Sequence, residues 1–384
     1  METGTMPSAA EHASEMAEYA EQGTQRARAL GNRGPIRLGP DGAIHQDILD
    51  AYRATGFYVF EGVMGAEELA ELRADIERVL ERAPVAPEAP CDAAGRPAFG
   101  REFSRPTYRF AKPLSDPLGG TSLNKGRHPV KMTELHIPDD APAYTIENFY
   151  GNLQIMDAAL RLYGHPGLLG VAAAVLGADF VPYNEVTFLK EPGLGPSVAW
   201  HRDGTTHWNA PDWDYISHGF NFMAQLYPST AGNGVWVLPG SHKLRRVDIP
   251  KMVREAGSER IVGAVPLLCE AGDTIMVNRQ MVHGSFANSS HDRRVTLNMG
   301  FFPRRRVEGV TATNLEGVRS TYDATRIHQR SRMIAVGIDA RRQRFPDEEP
   351  YRYRPLAEEE DANRWNDETR STVVKDYNLR DMYI

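Results

Sequence analysis

A mainly β fold with flanking helices, of the sandwich or jelly-roll type, is what this sequence predicts, and three observations lead to it. From about residue 180 onward, short runs rich in β-branched and aromatic residues recur. Glycine and proline turns separate them: Pro192-Gly-Leu-Gly195, Gly232-Asn-Gly234, Pro239-Gly240 and Gly272-Asp273. Segments with helical periodicity fall mostly before that region. Many short strands divided by such turns indicate sheet packed on sheet rather than a parallel α/β sheet.

Residues 1–40 read as an N-terminal extension, rich in Ala, Glu, Gly and Arg, with a helix around Glu15 to Leu30 stopped at Gly31. Ile48 to Thr55 has a helical pattern, and Gly56 to Gly62 reads as a strand of aromatic and β-branched residues. Gly65 to Arg82 follows as a helix, because Leu69, Leu72, Ile76, Val79 and Leu80 fall on one face. Residues 84–142, rich in Pro, Gly and charge, predict a loop-rich insert; loops of that length are often lids or binding loops. Ile155 to Leu176 reads as helix, broken near Gly164-His-Pro166. Six strands are then expected: Val186 to Glu191, Val198 to Arg202, Phe220 to Tyr227, Val235 to Leu238, Thr274 to Asn278 and Val295 to Phe302. The stretch from about Tyr322 is polar and arginine-rich, and its pattern assigns it no element. The expected organisation is a single domain over 41–384, with its jelly-roll core at about 180–305 and a C-terminal segment at 320–384.

The 384 residues carry a formal net charge of -7, and 41% are hydrophobic and 25% charged, an ordinary balance for a globular chain that can bury a core. No basic stripe predicts nucleic-acid binding: Arg304 to Arg306 and Arg341 to Arg344 have acidic stretches nearby. No apolar run approaches the roughly 18–20 residues that span a bilayer, so no membrane partner is expected. The first residues, Met1 to Glu21, lack an apolar signal core. Two cysteines, Cys91 and Cys269, leave one disulfide open but are too few for a secreted disulfide scaffold, so a reduced, cytoplasmic protein is the expectation. A homodimer is left open as the assembly.

The strongest chemical signal is Val198-Ala-Trp-His201-Arg-Asp203. In a strand, residues i and i+2 project to the same face, so the imidazole and the carboxylate would enter one cavity together. His-x-Asp alone is a weak signal, since surface pairs of this kind are common. A second segment strengthens it. An apolar strand from Gly272, a short turn and a further strand deliver His283, followed by Gly284 and Ser285. Two histidines and one carboxylate on one face leave open positions on an octahedral Fe(II), enough for a bidentate 2-oxo acid and O2. Arg294 lies eleven residues beyond His283. A guanidinium fork suits the distal carboxylate of 2-oxoglutarate, with the Ser285 hydroxyl as a second donor. Arg293 competes for that role, but neighbours on a strand face opposite ways, so only one points inward.

These pieces together resemble the phytanoyl-CoA dioxygenase family of iron/2-oxoglutarate oxygenases, which includes ectoine hydroxylases. The matching motifs are Trp200-His-Arg-Asp203, Gly234-Val-Trp-Val-Leu-Pro-Gly-Ser-His-Lys243, Gly272-Asp-Thr, and His283-Gly-Ser with Asn288 and Arg294, over roughly residues 45–305. The resemblance implies a double-stranded β-helix (jelly-roll, cupin-like) core. It implies metal ligands at His201, Asp203 and His283, and 2-oxoglutarate contacts at Ser285 and Arg294. It favours Arg294 over Arg293. It also implies that the strand before His201 lines the cosubstrate pocket, which makes Lys190 and Thr187 cosubstrate contacts, with Asn184 nearby. Related halogenases carry Gly or Ala in place of the carboxylate, so Asp203 points to hydroxylation, or to desaturation or ring formation, on a small-molecule substrate. Two other readings stand beside it: a jelly-roll metalloenzyme that does not use 2-oxoglutarate, and a non-catalytic binding protein on the same fold.

Other histidines and polar residues read differently. His207 and Trp208 divide evenly between lining the substrate pocket and simple packing. His242 reads as a structural turn residue and His291 as solvated, while His136, His165 and His218 have no partner at metal spacing. Asn148 and Gln154 are weaker pocket candidates.

Overall fold

The computed structural model describes residues 6–102, 107–314, 317–375 and 377. Its strands are β1 (Arg33–Gly34), β2 (Phe57–Phe60), β3 (Tyr108–Ala111), β4 (Thr145–Tyr150), β5 (Val181–Lys190), β6 (Val198–His201), β7 (Phe220–Gln225), β8 (Trp236–Val237), β9 (Val265–Pro266), β10 (Thr274–Asn278), β11 (His283–Ser285), β12 (Arg294–Phe302), β13 (Thr311–Thr313) and β14 (Arg319–Thr321). The helices are α1 (Ala9–Ala29), α2 (Gln46–Thr55), α3 (Ala66–Glu81), α4 (Asn152–Ile155), α5 (Asp157–Tyr163), α6 (Pro166–Leu176), α7 (Ile249–Ala256) and α8 (Ala324–Arg344). An eight-stranded sheet runs in the order β1-β2-β10-β7-β12-β5-β4-β3, and a four-stranded sheet in the order β6-β11-β8-β9. The large sheet is mixed: β1 pairs with β2 in parallel, and its other pairings are antiparallel. It takes β1 to β4 from outside the 180–305 stretch expected to form the core; of these only β2 was expected, as the strand Gly56 to Gly62.

The period-two alternation of the strands sorts these elements into three layers. Phe57, Val59, Ile275 and Val277 leave one face of the large sheet and pack with Val237 and Val265 of the smaller sheet and with Leu267 just after it. The alternate residues Tyr58, Phe60, Met276, Phe222 and Leu297 leave the other face and join Leu72, Ile76, Leu160, Leu168 and Ile334 of the helices. Helices, large sheet and small sheet therefore stack in that order. Leu72 and Ile76 sit on the inward face of α3, fully buried, as the spacing predicts. Cutting either back to alanine would cost about 2–5 kcal/mol.

Two segments behave differently from their sequence pattern. Residues 1–40 read as an extension, yet α1 starts at Ala9, where Ser8 and Glu11 form a reciprocal capping box. It lies on the small sheet: Tyr19 stacks on Trp236 with ring centroids 4.5 Å apart, and its hydroxyl donates to the Ile261 carbonyl at 2.8 Å. In the C-terminal segment, α8 packs against α5 at Gly337, where an added Cβ would come within 3.0 Å of the Leu160 carbonyl. Buried charges hid this helix from a periodicity reading. Arg341 donates to Glu68 at 2.6 Å, and Asp339 is buried as well.

Both cysteines are free thiols, Cys269 buried and Cys91 partly so. Among the described residues no single helix is long and apolar enough to cross a membrane; the most apolar pair, α5 and α6, belongs to the core.

Candidate functional site

The two sheets part around a cavity of about 790 Å³, within the range of small-ligand sites. Strands of both sheets line it. From the small sheet come His201 at the end of β6, and His283 and Ser285 on β11. From the large sheet come Val186 and Phe188 of β5, Asn221 and Met223 of β7, and Arg294 and Asn298 of β12.

The register of β6 and β11 builds the centre. His283 and His201 are Cα partners, and their ring centroids lie 4.1 Å apart. Gly284, between His283 and Ser285, allows this approach: a Cβ there would sit 3.0 Å from the Val198 carbonyl and 3.1 Å from the Trp200 nitrogen. Asp203 follows two residues after His201, its N–H bonded to the Arg279 carbonyl at 2.9 Å. One ligand atom from each of His201, Asp203 and His283 falls within 4.8 Å of the others, so the group could hold a metal ion. Each imidazole is oriented from behind. Nδ1 of His201 lies 2.9 Å from the Ala199 carbonyl, and Nδ1 of His283 lies 3.0 Å from that of Met281. A proton held at Nδ1 by these carbonyls leaves Nε2 with its lone pair toward the centre, the form that binds a metal.

The electrostatics match. Burial, with His283 and His128 adding to it, pushes His201 well below the usual imidazole range, so it is neutral. Burial raises the Asp203 carboxyl, but Arg127 and Arg279 outweigh it and hold the group at about 2. Arg127 Nη1 lies 3.4 Å from one Asp203 oxygen and Arg279 Nε 3.7 Å from the other. A neutral imidazole and an ionised carboxylate are donors that suit a divalent iron.

Arg294 is buried on the same cavity, and its Nε and Nη1 find no hydrogen-bond partner among the described residues. Burial lowers it to about 10, still a cation at neutral pH. Arg293 faces away and pairs with Glu191 and Glu77, so of the two only Arg294 lines the cavity. Lys190 is the Cα partner of Arg294 and is buried behind it, its ammonium donating to the Phe286 carbonyl. Burial first, then Arg294, pushes that ammonium well below the usual lysine range. Lys190 therefore abuts the site without lining the cavity. Thr187 is not brought there at all. It has the opposite parity to Val186 and Phe188, points into the helical layer, and donates to Asn152 at 3.0 Å.

Asn148 and Asn184 line the cavity, whereas Gln154 bonds the Tyr377 carbonyl outside it. His207 and Trp208 do not line it: His207 meets the Arg306 carbonyl, and Trp208 lies against His218. His242 is a buried turn residue against the Arg53 carbonyl. The sequence reading missed His128, Arg127 and Arg279. His128 lies against His201 at a tilt, with ring centroids 4.2 Å apart, yet it sits in the Pro- and Gly-rich insert, where no periodicity marks it. Arg279 carried a signal, a charge closing the apolar run of β10 four residues before His283.

Comparison with known proteins gives the chain a family. The sequence model of the family described as phytanoyl-CoA dioxygenase (PhyH) matches residues 52–296. Phytanoyl-CoA dioxygenase 1 of Oryza sativa subsp. japonica is 27% identical over 190 residues, which cover 46% of this chain and 57% of that protein. The chain thus spans little more than half the length of this curated relative. Among solved structures, EvdMO1 is 24% identical with a TM-score of 0.44, covering 65% of this chain and 48% of its own. EctD from S. alaskensis, solved with 2-oxoglutarate and 5-hydroxyectoine, is 19% identical with a TM-score of 0.46, covering 71% of this chain and 80% of its own. The family match takes in nearly two thirds of the sequence and every residue from His201 to Arg294 described above; the chain belongs to the phytanoyl-CoA dioxygenase family.

Proposed function

We propose that the chain is an iron(II)- and 2-oxoglutarate-dependent oxygenase that hydroxylates a C–H bond of a small-molecule substrate. The observation that carries this reading is a pairing within one cavity. Three ligand atoms within 4.8 Å of one another share it with the buried Arg294 guanidinium, whose Nε and Nη1 have no partner among the described residues. The two facing sheets with the centre between them support reading the core as a double-stranded β-helix.

His201, Asp203 and His283 would hold Fe(II), and Arg294 from the large sheet, with Ser285 from the small one, would take the far carboxylate of 2-oxoglutarate. When bound, the metal and cosubstrate supply the oxidising power, with 2-oxoglutarate and O2 converted to succinate and CO2 as the substrate is oxidised. The chain's own part is positioning. The carbonyls of Ala199 and Met281 hold both imidazoles in one tautomer. The fixed Arg294 fork sets the cosubstrate's direction. Apolar walls from Val186, Phe188 and Met223 keep water from the reacting carbon. An intact carboxylate at Asp203 leaves no vacancy for a halide, which supports oxygenation over halogenation.

Anaerobic titration with Fe(II) and 2-oxoglutarate tests this directly. The expected result is a weak visible charge-transfer band, and succinate once O2 is admitted. No band and no succinate would sink the reading. A metalloenzyme that does not use 2-oxoglutarate would bind the metal but show neither.

A further inference from the structure

We propose that the substrate is an uncharged, hydroxyl-rich molecule, a polyol or a sugar ring, read by a wall of asparagine amides on the cavity face of the large sheet. This deepens the function proposed above and rests on it. Asn221 of β7, Asn298 of β12, Asn184 of β5 and Asn148 of β4 come from consecutive strands of that sheet, and all line the cavity. The side-chain oxygens of Asn148, Asn221 and Asn298 are buried and find no hydrogen-bond partner among the described residues. A buried carbonyl oxygen left without a donor is costly, so several on one wall mark where a ligand's donors belong. Gly300 of β12 is the Cα partner of Asn221, and its missing side chain makes room beside that amide. A Cβ there would lie 2.6 Å from the Asn184 oxygen and 2.8 Å from that of Asn221. Glycine inside a strand weakens it and often marks the close approach of a ligand.

The chemistry of the wall selects the class. An amide carries no charge, and it both accepts and donates, as a hydroxyl does. Carboxylates or guanidiniums at these positions would select an ionic group instead. Apolar side chains stand between the amides: Val186 and Met223 are the Cα partners of Asn298 on either side, and Phe188 is that of Asn148. Such alternation suits a ring that presents C–H faces beside its hydroxyls. The wall also stands apart from the cosubstrate anchor, since Asn298 follows Arg294 along β12 by about 13 Å of strand. Its other end approaches the metal centre. The Cβ position at Gly300 is 3.3 Å from the Tyr183 ring, the Arg279 guanidinium lies 4.0 Å from that ring's centroid, and Arg279 Nε is 3.7 Å from Asp203. A hydroxyl held between Asn184 and Asn221 thus sets its carbon on the metal side of the cavity.

Calorimetric titration of the anaerobic Fe(II)- and 2-oxoglutarate-loaded protein with hexyl β-glucoside, hexanamide, hexanoate and hexylammonium tests the wall. The glucoside should bind about ten- to a hundredfold more tightly than the other probes, the value of about two or three further hydrogen bonds. Asn221→Leu and Asn298→Leu should each lose about tenfold in glucoside affinity and keep the charge-transfer band. Gly300→Ala should do the same, because its methyl meets the ends of two flexible side chains rather than backbone. The urea midpoint of the leucine variants, read without ligand, should hold or rise, since each removes an acceptor that has no partner among the described residues. The proposal is overturned if the probes bind alike, if none gives heat, or if the amide or a charged probe binds tightest. It is also overturned if the leucine variants keep the glucoside affinity, or if they lower the urea midpoint, because the amides would then serve the fold. A wild-type protein without the band would overturn the oxygenase function itself, and calorimetry would still read the order of the probes.

Discussion

His201 and His283 are Cα partners on neighbouring antiparallel strands, with ring centroids 4.1 Å apart and each Nδ1 bonded to a carbonyl two residues back. Register and parity together thus aim two imidazoles at one point before any metal arrives. Replacing His283 with Ala removes a ligand and leaves the β6–β11 pairing intact. Fe(II) affinity should fall by more than the roughly 10–100-fold that loss of a hydrogen-bond partner behind a ligand costs. Metal titration followed by atomic absorption checks this. Affinity within about threefold of wild type, the spread of such measurements, would move the metal elsewhere.

Arg294 makes opposite predictions for ligand and fold. Arg294→Leu removes the fork expected to bind the far carboxylate, so apparent 2-oxoglutarate affinity should drop about ten- to a hundredfold, with Arg294→Lys between the two. The same change removes a buried cation whose Nε and Nη1 have no partner among the described residues. Stability without cosubstrate should therefore hold or rise, because deleting an unsatisfied buried charge leaves no orphan behind. Urea midpoints and cosubstrate titration measured together separate this from general unfolding, in which both would fall.

Much of this arrangement could be read from residues. The apolar spacing of Leu72, Ile76 and Val79 marked α3, and the strand patterns of β7, β10 and β12 fell within two residues of where they lie, while β5 begins five residues before the expected Val186. The spacing of His201, Asp203 and His283 predicted one centre, and their ligand atoms do converge. What could not be read depends on tertiary contact. Thr187 and Lys190 share a strand, and only the pairing of β5 with β12 decides which face meets the cavity. His128 and Arg127 reach the centre on a loop whose path no local pattern encodes. α8 was obscured because Arg341 is buried against Glu68, a partner 273 positions away in the chain.

The buried histidines set an acid limit on stability. Burial, partly offset by the hydrogen bond to the Arg53 carbonyl, lowers His242 from the usual 6.5 to about 4, and burial lowers His218 likewise. A group whose folded value is depressed binds its proton first in the unfolded chain. Its contribution is fully present above about pH 6.5 and is lost as pH falls toward 4. Buried carboxyls such as Glu68 and Asp116, raised by burial, act in the opposite sense, so the clean comparison is between variants. His242→Gln keeps a donor for the Arg53 carbonyl but cannot titrate. Its stability should fall less steeply with acid, by at most about 1.4 kcal/mol per pH unit. Urea midpoints at several values across this window measure the slope, and an unchanged slope would contradict the assignment.

Gly23 packs the N-terminal helix onto β8, the strand beside the one that carries His283. Gly23→Ala in a helix interior ordinarily stabilises by about 1 kcal/mol. Here the added Cβ would lie 2.5 Å from the Trp236 ring, whose strand β8 pairs with β11, setting Gly284 opposite Trp236 and His283 opposite Val237. The sign should therefore reverse. The ring or the helix must shift, at a cost typical of overpacking, about 1–3 kcal/mol. Because Tyr19 stacks on that indole, Tyr19→Ala should loosen the same contact without the clash. Trp236 fluorescence and Fe(II) affinity should then change together in both variants, since the strand beside the indole carries His283. Stabilisation by Gly23→Ala with unchanged iron affinity would mean that α1 does not brace the centre.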